Sequence, residues 1–202
     1  MSDRFFDGAR HALIAGVVLA GFMVSAAQAQ TVVKGTVGGN ATFTLASLDM
    51  TDGTKISEAQ VFNSFGCSGR NISPALAWSN VPAGTKSFAL LVHDPDAPTG
   101  SGWWHWIVYN IAGDVTSLPA DAGDPKKSLM PALTVQGRND YGARGYGGPC
   151  PPPGKPHHYY FRLYALKVPK LDVPDDATAA LVGANVNANS LGMAQILGLY
   201  GR

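Results

Sequence analysis

Two short stretches of this 202-residue chain concentrate the side chains that could handle protons or charge. The first is Asp94-Pro95-Asp96-Ala97-Pro98, followed a few residues later by Trp103-Trp104-His105-Trp106. The second is Gly145-Tyr146-Gly147-Gly148-Pro149-Cys150-Pro151-Pro152-Pro153-Gly154, closed by His157-His158-Tyr159. A carboxylate and an imidazole that face each other across a loop mouth can share a proton or hold a polar ligand between them. Glycines let backbone approach a ligand closely, and their N–H groups can cradle an anion. Several better-known sites do not fit. Asp94–Pro98 lacks the third alternating acid and the bidentate glutamate of a calcium loop. The glycine run does not end in Gly-Lys-Ser/Thr, so it is not a P-loop, and no Gly-x-Ser-x-Gly nucleophile elbow occurs. His157 and His158 are strand neighbours that point to opposite faces, which makes joint ligation of one metal awkward. The plain structural readings are a turn for the first stretch and a stiff loop for the second.

The elements that must carry these residues read mostly as strands. Asp94 stands where the segment Ser87–His93 runs out, and His105 opens the segment His105–Ile111. The segment His158–Leu166 sets His158, Tyr160, Arg162 and Tyr164 against Tyr159, Phe161, Leu163 and Ala165, the alternation of a strand with two differently solvated faces. Ala41–Leu48 and Ala75–Trp78 are further strand candidates, separated by turn-forming clusters such as Asn80–Gly84 and Asp94–Gly102. Twenty-four glycines and fourteen prolines favour such a turn-rich β architecture over a helical bundle. Only the C-terminal part reads as helix: Asp175-Asp176 would cap a segment Ala177–Leu199, which Gly183, Gly192 and Gly198 divide into two short helices.

A hydrophobic content of 46% with 14% charged residues suits one globular domain, expected at residues 30–202. The formal net charge of +1 supplies no electrostatic footprint for nucleic acid. Residues 1–29 have the layout of a cleaved signal peptide: Arg4 and Arg10, an apolar run from Ala12 to Val24, and the small-residue site Ala27-Gln28-Ala29. The run is short for a membrane span and no stop-transfer cluster follows, so a periplasmic or secreted protein without stable membrane insertion is expected. In an oxidising compartment Cys67 and Cys150 can pair; two unrelated buried thiols are the alternative, and export favours the pair.

A resemblance covers nearly all of this expected domain. Phe65-Gly66-Cys67-Ser68-Gly69-Arg70-Asn71-Ile72-Ser73-Pro74, Leu76-Ala77-Trp78 and Val81–Ala89 come first. Asp94–Pro98 with His105-Trp106, Gly145–Gly154 with His157-His158-Tyr159, and the closing Leu197–Arg202 follow in order. With these motifs the chain resembles the phosphatidylethanolamine-binding family, in its bacterial Raf-kinase-inhibitor-like branch. The resemblance implies a mostly β sandwich, a large antiparallel sheet packed on a smaller one, with peripheral and C-terminal helices. It also implies a pocket for a small phosphorylated or other anionic ligand, lined by Asp94, Pro98, His105, Gly148, Pro151, His157 and Tyr159. Neither cofactor nor metal is expected. In this picture the loop around Gly148–Pro151 offers N–H groups, Asp94 raises the pKa of His105 or fixes its tautomer, and His105, preferably protonated, meets the anion. An inhibitor acting on a protease or another extracytoplasmic partner is the second reading. A hydrolase using Asp94, His105 and His157 is the third, weakened by the lack of an activated nucleophile.

Overall fold

Prolines and glycines cut the chain into short extended runs, and the apolar–polar alternation within each run decides which face turns inward. In the computed structural model, residues 32–35 and 42–202 are described; the signal segment expected at residues 1–29 lies outside them. The strands are β1 (Val32–Gly35), β2 (Phe43–Ala46), β3 (Thr54–Lys55), β4 (Leu76–Ser79), β5 (Ser87–Asp94) and β6 (Trp103–Ala112). They continue with β7 (Ser117–Leu118), β8 (Val135–Gln136) and β9 (His157–Leu166); a helix α1 (Ala179–Asn189) then leads into β10 (Ser190–Tyr200). One sheet has four strands in the order β1-β2-β4-β7, and the other six, in the order β3-β10-β9-β5-β6-β8. Pairing in the large sheet is antiparallel except where β3 lies parallel to β10. The expected mostly β architecture of a large and a small sheet is therefore what the chain forms.

The core lies between the sheets. Phe43 and Leu45 of β2 and Leu76 and Trp78 of β4 share one buried cluster with Phe88, Leu90 and Val92 of β5 and Phe161 and Leu163 of β9. On the far side of the large sheet, Ala89 and Leu91 of β5 and Ile107 and Tyr109 of β6 pack against Val182 and Val186 of α1. Strand β5 is thus covered on both faces, which explains its uninterrupted apolar run from Phe88 to Val92. In β9, Tyr159, Phe161, Leu163 and Ala165 are buried while Tyr160, Arg162 and Tyr164 are half-buried, as the alternation predicts.

The C-terminal segment departs from the expectation. Helix α1 begins later than expected, with Thr178 rather than Asp175 or Asp176 as its cap: the Leu181 N–H donates to the Thr178 hydroxyl at 3.2 Å. It is also the only helix named among the described residues, and it stops at Asn189. From there Ala194, Ile196, Gly198 and Tyr200 are buried in alternation, and Ser190–Tyr200 is a strand paired along its length with β9. The physical reason is space: a Cβ at Gly198 would overlap the Ile56 side chain, so this glycine permits close packing of a strand.

Candidate ligand-binding site

The site forms where β5, β6 and β9 reach the same end of the large sheet. Asp94 closes β5 and is 2% exposed. Its Oδ1 accepts from the backbone N–H groups of Asp96 (2.8 Å) and Ala97 (3.2 Å), so the carboxylate holds the Asp-Pro-Asp-Ala-Pro turn in place. Its Oδ2 lies 2.7 Å from Nδ1 of His157, which opens β9. The neighbouring His158 points the other way, with Nδ1 2.6 Å from Asp96 Oδ2, so the two histidines each take a different aspartate. Asp96 therefore belongs to the turn and the opposite face of β9.

His105 reaches the site through a fault in the ladder. Val92 pairs with Trp106 and His93 with Trp104, so His105 is an extra residue on β6. Such a bulge re-aims side chains, and here it puts His105 beside Tyr159, with ring centroids 5.1 Å apart, while Trp106 stays in the core. His105 is 2% exposed, and its Nδ1 lies 2.6 Å from the Gly147 carbonyl oxygen. Because that oxygen can only accept, Nδ1 carries the hydrogen. Burial pushes the His105 pKa down to about 4, against the opposing pull of the Gly147 carbonyl and the Asp94 charge. Asp94 draws the His105 pKa upward as expected, but it makes its own hydrogen bond with His157, the tautomer of His105 is set by the Gly147 carbonyl, and burial outweighs both pulls, so His105 is a neutral imidazole where a protonated one was preferred.

The glycine-rich segment also behaves differently from the expectation. The Gly147 N–H donates to the His105 carbonyl at 2.9 Å, and the Gly148 N–H donates to Asn71 Oδ1 at 2.8 Å. These groups are spent on anchoring the loop, and Pro149 and Pro151 have none to offer. A Cβ at Gly148 would overlap the Gln60 carbonyl, and one at Gly147 the Tyr141 ring. The glycines are there for close packing of backbone and ring. The Cys67–Cys150 disulfide, with Cα atoms 5.9 Å apart, ties this loop to the segment before Asn71. Arg202 fastens the same two loops, donating from Nε to the Pro151 carbonyl (2.7 Å) and from a terminal guanidinium nitrogen to the Gly66 carbonyl (2.9 Å).

The result is a cavity of about 190 Å³. Of the seven ligand-binding residues expected from sequence, Asp94, Pro98, His105, Pro151, His157 and Tyr159 line it, and Gly148 does not. Trp103, Tyr141, Phe65 and Cys150 complete the polar and aromatic wall. Tyr141 escaped the sequence reading, since one aromatic in an Asn-Asp-Tyr-Gly turn carries no periodic signal; it stacks on Phe62 at 4.0 Å and donates to the Gly148 carbonyl at 3.0 Å. Burial and the nearby Asp94 charge raise the pKa values of Tyr141 and Tyr159, so both keep their hydroxyl protons. Three buried polar atoms of lining residues have no well-formed hydrogen bond among the described residues: Trp103 Nε1, His105 Nε2 and the Tyr159 hydroxyl, the last standing close to the Asp94 carboxylate. No lysine or arginine lines the cavity, and among the described residues no three His, Cys, Asp or Glu side chains gather as they would to hold a metal ion.

Comparison with known proteins gives a consistent picture. The family model described as "Phosphatidylethanolamine-binding protein" matches residues 46–201. The Escherichia coli protein YbcL is 52% identical over 161 residues, spanning 79% of this chain and 88% of that one. YbhB, also from E. coli, is 47% identical over 156 residues, or 77% of this chain and 98% of its own length. The crystal structure of E. coli YbcL, described as a new member of the mammalian PEBP family, superposes with a TM-score of 0.77, covering 79% of this chain and 98% of that one. A Chlamydia trachomatis homolog, CT736, at 33% identity has a TM-score of 0.67, covering 81% and 99%.

Proposed function

This chain belongs to the phosphatidylethanolamine-binding protein family, and from that premise we propose that it is a binding module for a small phosphorylated or other anionic group, held in the cavity between Asp94, His105, His157 and Tyr159. The observation that carries this reading is one small cavity whose lining brings the Asp94–His157 pair together with Trp103, His105, Tyr141 and Tyr159. Buried polar groups are almost always paired, because leaving one unpaired costs about 1–3 kcal/mol, and three of these lining side chains carry a polar atom without a well-formed hydrogen bond inside the protein. The Trp103 N–H and the Tyr159 hydroxyl are neutral donors suited to phosphoryl oxygens, and the hydrogen-bonded His157–Asp94 pair lines the same cavity. The short apolar and proline-rich rim suits a head group rather than a long chain.

The reading assigns no catalytic role, since binding is all that the unpaired atoms require. It places the protein outside the cytoplasm, where the Cys67–Cys150 bridge would persist. Thermal unfolding of the oxidised chain, titrated with phosphate and phosphoethanolamine, tests it. A ligand at a hundred times its Kd adds about 2.7 kcal/mol, which for a domain of this size raises Tm by about 5–10 °C. The rise should vanish in His105→Ala. Equal stabilisation of wild type and variant, or no shift with any anion, would overturn the assignment.

A further inference from the structure

We propose that the broad cleft beside the cavity, between residues 62–72 and 121–127, is a docking surface for a protein partner whose docking segment is an extended stretch of chain with carboxylates next to large apolar side chains. The cleft measures about 830 Å³ and shares only Phe65 and Tyr141 with the cavity. Past Pro125 and Arg144 it continues into a second hollow lined by Ser128, Leu129 and Thr134.

The backbone of its banks is unusual. Among the described residues, seven other than glycine have left-handed backbone, and three of these are neither Asn nor Asp: Phe65 (φ 55°), Ser128 (φ 51°) and Leu133 (φ 65°). All three stand on the two loops that bound the cleft and its continuation. In residues 64–67 the Cys67 N–H donates to the Ser64 carbonyl at 3.0 Å, and the central Phe65 and Gly66 both have positive φ. That is the pattern of a type I′ turn, whose ordinary central pair is Asn-Gly. In residues 131–134 the Thr134 N–H donates to the Pro131 carbonyl at 3.2 Å, and Leu133 holds the position that takes Gly or Asn in a type II turn. Each turn thus carries a bulky apolar residue where the backbone disfavours one. Neither serves the core, since Phe65 is 66% exposed and Leu133 91%. Strain of this kind gathers at functional sites, and apolar side chains grouped at a surface mark interaction sites.

Charge and shape select the occupant. Arg70, Lys126, Lys127 and Arg144 line the cleft against Asp121 and Asp124, four cations to two carboxylates. Lys127 is held by Asp121 and Arg144 by Asp175, whereas Arg70 and Lys126, one on each bank, have no carboxylate partner among the described residues. Beside Arg70, Phe62 stacks on Tyr141 at 4.0 Å and the Phe65 ring meets Tyr141 edge-on at 5.4 Å, which makes an aromatic wall. A flat bilayer would leave a concave cleft of this size unfilled, and a nucleic acid would set its phosphates against Asp121 and Asp124. An extended peptide fills the groove, brings carboxylates to Arg70 and Lys126, and lays apolar side chains against Phe65 and Leu133.

The test pans the full oxidised chain against displayed random peptides, with the double variant Arg70→Glu/Lys126→Glu as counter-selection. Enriched peptides should carry Asp or Glu beside a large apolar residue. Fluorescence anisotropy with a synthetic copy of the leading peptide should show its Kd rising about tenfold in the double variant and about fivefold in Leu133→Asn. Asparagine tolerates left-handed backbone, so Leu133→Asn should melt at or above the wild-type temperature while it binds more weakly. A lower melting temperature with an unchanged Kd overturns the role of Leu133. No enriched peptide, enriched peptides without acids, or equal binding by wild type and double variant overturns the docking surface. Vesicles of phosphatidylglycerol should not sediment the chain; sedimentation that is lost in Leu133→Asn assigns the surface to a membrane and overturns the peptide.

Discussion

A buried hydroxyl without a partner destabilises a folded protein by about 1–3 kcal/mol, and Tyr159, 1% exposed, holds one against the cavity. Tyr159→Phe removes only that oxygen, so stability and binding should move in opposite directions. The expected Tm of the free variant equals or exceeds that of wild type, while its phosphate Kd rises about tenfold, the value of one hydrogen bond to a charged group. Paired melting and calorimetric curves check this; a fall in both would make the hydroxyl structural. His105 makes a second prediction, through pH. Its pKa in the folded protein is about 4, below the ordinary 6.5, so unfolding takes up a proton between those values. Its contribution is complete above pH 6.5 and is lost as pH falls towards 4, amounting to about 3 kcal/mol. Denaturant unfolding of His105→Gln should lack this part of the acid slope, and identical slopes would refute it. Six of the seven candidate residues line the cavity, a placement legible from their position at strand ends and in the Gly- and Pro-rich turns beside them. What escaped was partnership. Asp94 pairs with His157 across the sheet, sixty-three positions away, and nothing in the spacing of a linear sequence ranks that contact above the nearer His105.

At the scale of elements, the site wall is a strap rather than a cradle. The segment from Gly145 to Pro151 is fixed by the ring and the carbonyl of His105, by the Asn71 side chain and by the disulfide. The bridge spans 83 positions, so the loop-entropy model gives it about 4 kcal/mol. The double variant Cys67→Ser/Cys150→Ser should lose about that much in chemical denaturation and bind phosphate more weakly, because Phe65 and Cys150 both line the cavity. Full retention of phosphate affinity would show that Arg202 and Asn71 alone hold the wall. The pairing was readable because only two cysteines occur. Strands β4, β5, β6 and β9 were readable because their alternation or apolar content is unbroken. Strand β10 was not. Gly198 sits at a buried position where alternation calls for an apolar side chain, and Leu197 and Leu199 place apolar residues on the other face. Those substitutions blur the period of two, and the preceding α1 extends a helical reading into the strand. The bulge at His105 was equally hidden, since an extra residue shows only against the partner strand that it fails to match.

For the whole molecule, the large sheet is packed on both faces, so the ends of β5, β6 and β9 form a rigid platform and the cavity needs no closure to be complete. The electrostatics are equally local. The chain carries a net charge of only +1, and no lysine or arginine lines the cavity. Anion sites built from surface cations weaken steeply with salt, because the Debye length shrinks from about 10 Å at 0.1 M towards 3 Å at 1 M. A site made of buried neutral donors and a histidine–aspartate pair is screened far less. Between 0.1 and 0.5 M sodium chloride at fixed pH, the phosphate Kd should therefore change by less than about threefold. A tenfold or larger loss would implicate cations outside the wall. Arg202, which bonds the Pro151 carbonyl of the wall, and Lys155, in the cleft that shares Pro98, Pro152 and His157 with the cavity, are the candidates. Lys155→Gln would then reduce the salt dependence. If instead the Kd stays flat with salt, affinity arises from the fixed polar groups of the cavity lining, and the surface charges of the chain take no part in it.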